Sequence, residues 1–91
     1  MKYHETDIDV ILGDRVIYRH LFFGRSTGVV AYIPGVSETN PRILPHQWVV
    51  KLTNGKGVFM VYGPDIEFAH HRIQFVKRGG VENAIKASDP I

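Results

Sequence analysis

The chain has 91 residues, a formal net charge of +2 and no cysteine. This length fits a single small domain, and the lack of cysteine excludes disulfide bonds, thiolate metal sites and cysteine nucleophiles. The N-terminal segment carries Glu5, Asp7 and Asp9 where a secretory signal would be apolar, and the longest apolar run, "VFMVY", is too short to cross a bilayer. We therefore expect a cytoplasmic protein with no membrane partner.

The net charge conceals an uneven distribution along the chain. Residues 15–78 carry nine basic and three acidic side chains, whereas residues 1–14 and 79–91 are each net acidic. A basic body between acidic ends favours an anionic partner. A solvated surface of mixed charge would have the same composition, so both interpretations stay open at this point.

The apolar residues alternate with a period of two through most of the chain, which is typical of β-strands. Four runs have this pattern and are rich in β-branched and aromatic residues: "RVIYR", "VVAYI", "WVVKLT" and "VFMVY". In the second run the alternation predicts that Val29 and Ala31 face away from Val30 and Tyr32. Trp48, which begins the third run, is expected to anchor the core.

Turn residues mark where these strands begin and end. Gly13-Asp14 opens the first strand, and Gly24 to Gly28 belong to the loop after it. Asn54-Gly55 predicts a two-residue hairpin turn, because a type I′ turn requires positive φ at both central positions. The one long connection, residues 34–47, contains three prolines, and loops of this length are often functional.

The pattern changes after Gly63-Pro64. The stretch "AHHR" predicts a tight turn or one 3₁₀ turn, and "IQFVK" predicts a closing strand. The tail "GVENAIKA" is compatible with a short helical turn. We expect one domain with a barrel over residues 12–78, and with residues 1–11 and 79–91 as terminal extensions.

The order of strands and turns resembles that of the SH3-like small barrels. The resemblance covers about residues 12–78. It is carried by Gly13-Asp14-Arg15-Val16, Gly28-Val29-Val30, the Asn54-Gly55 hairpin and the turn before "RIQFVKR". It implies a mainly β fold: a five-stranded barrel with one long loop and a short 3₁₀ or helical turn before the last strand. Such barrels bind partners through the loops after the first and second strands, or through an exposed face or edge strand.

Two phenylalanines precede a run of turn residues in "LFFGRSTG". Neighbouring residues of an extended segment point in opposite directions, so we expect one of Phe22 and Phe23 to be buried over the barrel end and the other to be exposed. An exposed aromatic ring beside arginine suits a peptide or a single-stranded nucleic acid. We therefore expect a small accessory or regulatory protein, a binding module that recognises another protein through the aromatic residues of its loops. The predicted contacts are Phe22, Phe23, Arg25, Arg19, Arg42, Leu44 and Tyr32.

The basic body supports nucleic-acid binding as an alternative. In this interpretation arginine and lysine side chains contact phosphates, and the affinity falls steeply as the salt concentration rises. The further contacts, besides Arg19 and Arg25, would be Arg15, Lys51, Lys56 and Arg72. Self-assembly into a homo-oligomer through an open edge strand is compatible with either alternative.

No catalytic motif emerges, so we expect no enzymatic activity. The serines lack a nucleophile elbow, and Asp65 and Glu67 share a strand face as the acids of any solvated strand can. The chain also looks like the type II dihydrofolate reductases in its size and its "GDRV". In that family four barrels form a pore lined by a Val-Gln-Ile-Tyr segment. The matching stretch here, Val58–Tyr62, keeps the tyrosine but lacks the glutamine, so the pore contacts do not carry over.

The five histidines do not form a recognisable metal motif. His70 and His71 are adjacent and diverge on either a strand or a turn, so they cannot bind one metal ion together. His4, His20 and His46 lack the spacing of zinc ligands. We therefore expect no metal and no cofactor.

Overall fold

The computed structural model describes residues 1–20, 22, 24–38, 40–53, 57–63 and 69–80. These residues form five strands and one 3₁₀ turn, His70–Arg72, which directly precedes the last strand. The strands are β1 (Arg15–Arg19), β2 (Arg25–Tyr32), β3 (Gln47–Leu52), β4 (Val58–Tyr62) and β5 (Ile73–Lys77). The mainly β fold, the long loop and the 3₁₀ turn are thus confirmed. In the described part of the chain, no helix has both the length and the apolar character that crossing a membrane requires.

The strands make one antiparallel sheet in the order β4-β3-β2-β1-β5. The sheet curls: although β3 and β2 lie between β4 and β1, Tyr18 of β1 stacks on Phe59 of β4 with the ring centroids 4.0 Å apart. It does not close: β4 and β5 are its edges, and an isolated parallel bridge between Tyr62 and Ala69 lies near them. The result is a loose, open barrel with one concave inner face and one outer face.

The first hairpin differs from its prediction at one boundary. β2 begins at Arg25, so Gly28 lies within the strand and not at the end of a loop. The reason is that "RSTG" continues the pairing with β1, from Arg19 opposite Arg25 to Val16 opposite Gly28. Gly28 is required by close packing, because a Cβ there would lie 2.6 Å from Cγ1 of Val50 on β3.

The inner face of the sheet holds the main core. Its strand residues are Val16, Val30, Trp48, Val50, Val61 and Ile73. Trp48 is completely buried and meets Tyr3 edge to face at 6.2 Å between ring centroids, which confirms it as a core anchor. Tyr3 and Val10 come from the N-terminal segment, residues 1–14, so this segment packs into the same core as the sheet.

A β-bulge in β2 creates a smaller core on the outer face. The register shifts between Val30 and Tyr32, so the alternation predicted for this strand is broken. Ala31 and Tyr32 therefore both pack on the outer side, against Val49 and against Ile43 of the long loop. The long loop, residues 33–46, thus covers the outer face at the β2–β3–β4 side.

A buried carboxylate ties the N-terminal segment to the sheet. Oδ2 of Asp14 accepts hydrogen bonds from the Tyr3 hydroxyl at 2.6 Å, from Nη1 of Arg78 at 2.6 Å and from the Ile11 N–H at 3.0 Å. The Arg78 guanidinium also lies over the Phe75 ring, 4.8 Å from its centroid. Burial, together with the hydrogen bond to the Asp14 carboxylate, raises the pKa of the Tyr3 hydroxyl above its ordinary value.

The second hairpin joins β3 and β4. Its pairing is confirmed by Lys51 opposite Val58 and by the hydrogen bond from the Leu52 N–H to the Gly57 carbonyl at 3.0 Å. The predicted Asn54-Gly55 turn lies outside the described residues, as does the tail from residue 81 onward.

Candidate functional site

The outer surface of β5, β1 and β2 is largely exposed and basic. Residues directly opposite each other in an antiparallel pair have their side chains on the same face, so the register assigns this surface. We call it the basic face. It is formed by Arg15, Ile17, Arg19, Arg25, Thr27, Val29, Gln74 and Lys77. The long loop packs on the other half of the outer face, and the residues of the basic face are exposed apart from Ile17 and the buried Val29.

Three arginines dominate the basic face. Within the described part of the chain, Arg15, Arg19 and Arg25 form no ion pair. Arg19 and Arg25 are directly opposite each other across β1 and β2, and all three side chains are exposed. Like charges in this position destabilise a strand pair. Nη2 of Arg19 donates to Oε1 of Gln74 at 2.8 Å, which fixes one guanidinium on the sheet.

Lys51 extends the positive surface onto β3. It is opposite Val29, which is opposite Arg15, so its side chain projects from the same side of the sheet. The structure therefore brings together four of the cations predicted for nucleic-acid contact, on three adjacent strands. Lys56, a fifth, lies outside the described residues.

Phe22 stands at the end of the basic face, in the β1–β2 loop of residues 20–24. Its side chain is 81% exposed, which agrees with the expectation that one of the two phenylalanines is exposed. The loop is closed by a hydrogen bond from the His20 N–H to the Gly24 carbonyl at 2.8 Å, and Nε2 of His20 lies 2.6 Å from Oγ of Ser26. Phe23 lies outside the described residues, so its burial stays a prediction.

The long loop lies at the other end of β2. Arg42 and Leu44 are exposed there, as a contact surface requires. However, Phe22 precedes β2 and the long loop follows it, and eight extended residues separate their ends by roughly 23 Å. Tyr32 is only 9% exposed and belongs to the outer-face core. The structure does not bring the residues predicted for protein recognition together into one surface.

An open cavity of about 460 Å³ lies beside β5, between that edge strand and the N-terminal segment. Arg19 and Gln74 belong both to the basic face and to the lining of this cavity. Arg72 adds a second guanidinium, whose Nη1 lies 3.5 Å from the Arg19 carbonyl oxygen. Gln74 was not predicted as a site residue, although the alternation in "IQFVK" already places it on the other strand face from the apolar Ile73 and Phe75.

The histidines diverge as expected. His70 is 2% exposed and packs against Trp48 with ring centroids 5.8 Å apart, whereas the adjacent His71 is exposed. Among the described residues, no group of three or more histidine or acidic side chains could hold a metal ion.

Comparison with known proteins adds no identification. No family model matches the chain, and neither a curated protein nor a solved structure matches it. The function must therefore be argued from the geometry of the basic face.

Proposed function

We propose that this protein is a non-enzymatic module that binds single-stranded nucleic acid on the basic face, with Phe22 stacking on a base. The observation that carries the proposal is the cross-strand pair of Arg19 and Arg25, neither of which forms an ion pair with an acid of the described residues. A phosphate between the two guanidinium groups would remove their repulsion and accept hydrogen bonds from both. The uncompensated pair is thus better explained by a bound anion than by the stability of the free protein.

The dimensions of the basic face fit an extended strand of nucleic acid. Arg15 and Arg19 are four residues apart on β1, which separates their Cα atoms by about 13 Å along the sheet. Arg25 on β2 lies beside the Arg19 end of this row of positive charge, and Phe22 lies in the loop that follows Arg19 along the chain. Binding of single strands commonly combines such a positive track with aromatic rings that stack on bases.

The overall charge supports the same conclusion. The chain has a computed isoelectric point of about 9.1, and its cations are concentrated in the body of the chain that contains the sheet. Such a concentration on one face is the usual electrostatic footprint of a nucleic-acid-binding domain. We propose a cytoplasmic location, which would give the protein access to such ligands.

Protein recognition through the β1–β2 loop is the second candidate. The exposure of Phe22 favours it, because aromatic residues and arginines are enriched at the energetic centres of protein interfaces. A protein partner would need an acidic surface to match Arg19 and Arg25. If the protein binds no oligonucleotide and instead retains an acidic protein after nuclease treatment, this second candidate replaces the first.

We also infer that the open sheet belongs to the SH3-like small barrels. The strand order β4-β3-β2-β1-β5, the curl that brings Tyr18 onto Phe59 and the 3₁₀ turn before the last strand all support this inference. Fold membership by itself carries no function.

Replacing Arg25 with glutamine tests the proposed function. We expect Arg25→Gln to weaken binding of a fluorescent 15-nucleotide oligothymidylate by about five- to tenfold at low salt, measured by fluorescence anisotropy. The same change should raise the free energy of unfolding by a few tenths of a kcal/mol, because it relieves repulsion from Arg19. If Arg25 served only the stability of the fold, its replacement would not weaken binding and raise the free energy of unfolding at the same time.

Arg42→Gln is the matched control. It removes the same charge from an exposed arginine at the far end of β2, so oligonucleotide binding should stay within twofold of the wild type, a margin of about 0.4 kcal/mol. Equal weakening by Arg42→Gln and Arg25→Gln would contradict the proposal, because it would mean that only the net charge matters.

A further inference from the structure

We propose that the cavity beside β5 binds the phosphorylated end of a nucleic-acid strand, as a terminal nucleotide with its phosphomonoester. This inference rests on the proposed function, because the cavity would receive the terminal nucleotide of the same strand that the basic face binds. Arg19 links the two, since its side chain belongs to the basic face and also lines the cavity.

The charges around the cavity favour an anion with more than one negative charge. Arg19 and Arg72 both line it, and in the described part of the chain neither is paired with an acid. Two imidazoles also line the cavity, from His4 and His71, whose ring centroids are 6.2 Å apart. The one carboxylate, Glu5, lies 3.6 Å from Nε2 of His4.

A terminal phosphomonoester meets this requirement better than an internal phosphate. It carries a charge of about −1.5 to −2 near neutral pH, whereas each phosphodiester carries one negative charge. It also offers more free oxygens as acceptors for the two arginine side chains.

The apolar side of the cavity suits a base or a sugar. Tyr3, Ile8, Ile73 and Phe75 line it together with the charged groups. Tyr3 and Phe75 are in contact, with ring centroids 5.4 Å apart, so they form a fixed aromatic wall. A volume of about 460 Å³ falls in the range of sites that bury one small ligand.

The test compares three oligothymidylates of equal length: one with a 5′-phosphate, one with a 3′-phosphate and one with hydroxyl groups at both ends. Fluorescence anisotropy with an internal label would measure the affinity of the wild type for each. We expect one of the phosphorylated strands to bind about tenfold more tightly than the strand with two hydroxyl ends. The two phosphorylated strands distinguish which end the cavity receives.

Arg72→Gln is the informative variant, because Arg72 lines the cavity and is not part of the basic face. It should abolish the preference for the phosphorylated end and leave the affinity for the hydroxyl-ended strand within twofold of the wild type. Arg42→Gln, the distant control, should keep the preference.

The outcomes separate this inference from the function on which it rests. Equal binding of all three strands, or a loss in Arg72→Gln that is the same for all three, would overturn the end-binding inference and leave nucleic-acid binding intact. Failure of every strand to bind would overturn the proposed function and this inference with it.

Discussion

Replacing Trp48 with alanine is expected to cost about 3 to 5 kcal/mol of folding free energy. Trp48 is fully buried at the centre of the inner core, where it meets the rings of Tyr3 and His70. Its removal leaves a cavity that the surrounding strands cannot fill. A domain of this size is stabilised by only about 5 to 14 kcal/mol, so the variant should be near its unfolding transition at 37 °C. Urea unfolding followed by circular dichroism would measure the loss.

Phe22→Ala is the control for this experiment. It removes an aromatic ring that is 81% exposed, and such changes usually alter stability by less than about 0.5 kcal/mol. A cost below about 1 kcal/mol for Trp48→Ala would contradict the core described above. A large cost for Phe22→Ala would mean that its ring is packed and is not available to a ligand.

Replacing Asp14 with alanine is expected to cost about 2 to 4 kcal/mol. The Asp14 carboxylate is the acceptor for the Tyr3 hydroxyl, the Ile11 N–H and Nη1 of Arg78. Without it, the buried Tyr3 hydroxyl and the Ile11 N–H lose their partner, and unpaired buried donors are costly. The loss of the ion pair with Arg78 adds less to this cost, because the Arg78 side chain is 44% exposed and can turn toward water. The shift of the urea midpoint would report the cost.

Asp9→Ala is the matched control for Asp14. The Asp9 carboxylate is an exposed partner of Lys2, at 2.9 Å, whereas the contact of Asp9 with Arg78 uses its backbone carbonyl, which alanine retains. The urea midpoint should therefore barely move. A double-mutant cycle with Tyr3→Phe should give non-additive costs for Asp14 and Tyr3, and simple additivity would argue against their coupling.

Much of the fold was predictable from the sequence because its signals are local. The period of two and the turn residues were sufficient to identify all five strands, and "AHHR" indicated the 3₁₀ turn. The predicted start of β2, after Gly28, was wrong: the strand begins at Arg25. The reason is that serine and threonine are common both in turns and on exposed strand faces. The bulge at Ala31 was also missed, since a one-residue shift in register depends on packing between strands and leaves no local signature.

The site was less predictable, because it depends on the pairing of strands that are distant in sequence. Arg19 and Arg25 were recognised as neighbours of one loop, but their direct opposition required the β1–β2 register. The loops of Phe22 and Leu44 were expected to act together, whereas β2 holds them at opposite ends. The contribution of the N-terminal segment was also hidden, because Tyr3 reaches Asp14 and Phe75 only in the folded chain.

The most direct test of the account is the salt dependence of oligothymidylate binding by the wild-type protein. If Arg15 neutralises one phosphate, and Arg19 and Arg25 together neutralise a second, the logarithm of the binding constant should fall with the logarithm of the salt concentration with a slope of about −1.4. A slope near zero would contradict the central claim, as would a lack of binding at low salt, because the uncompensated arginines of the basic face would then have no phosphate to meet.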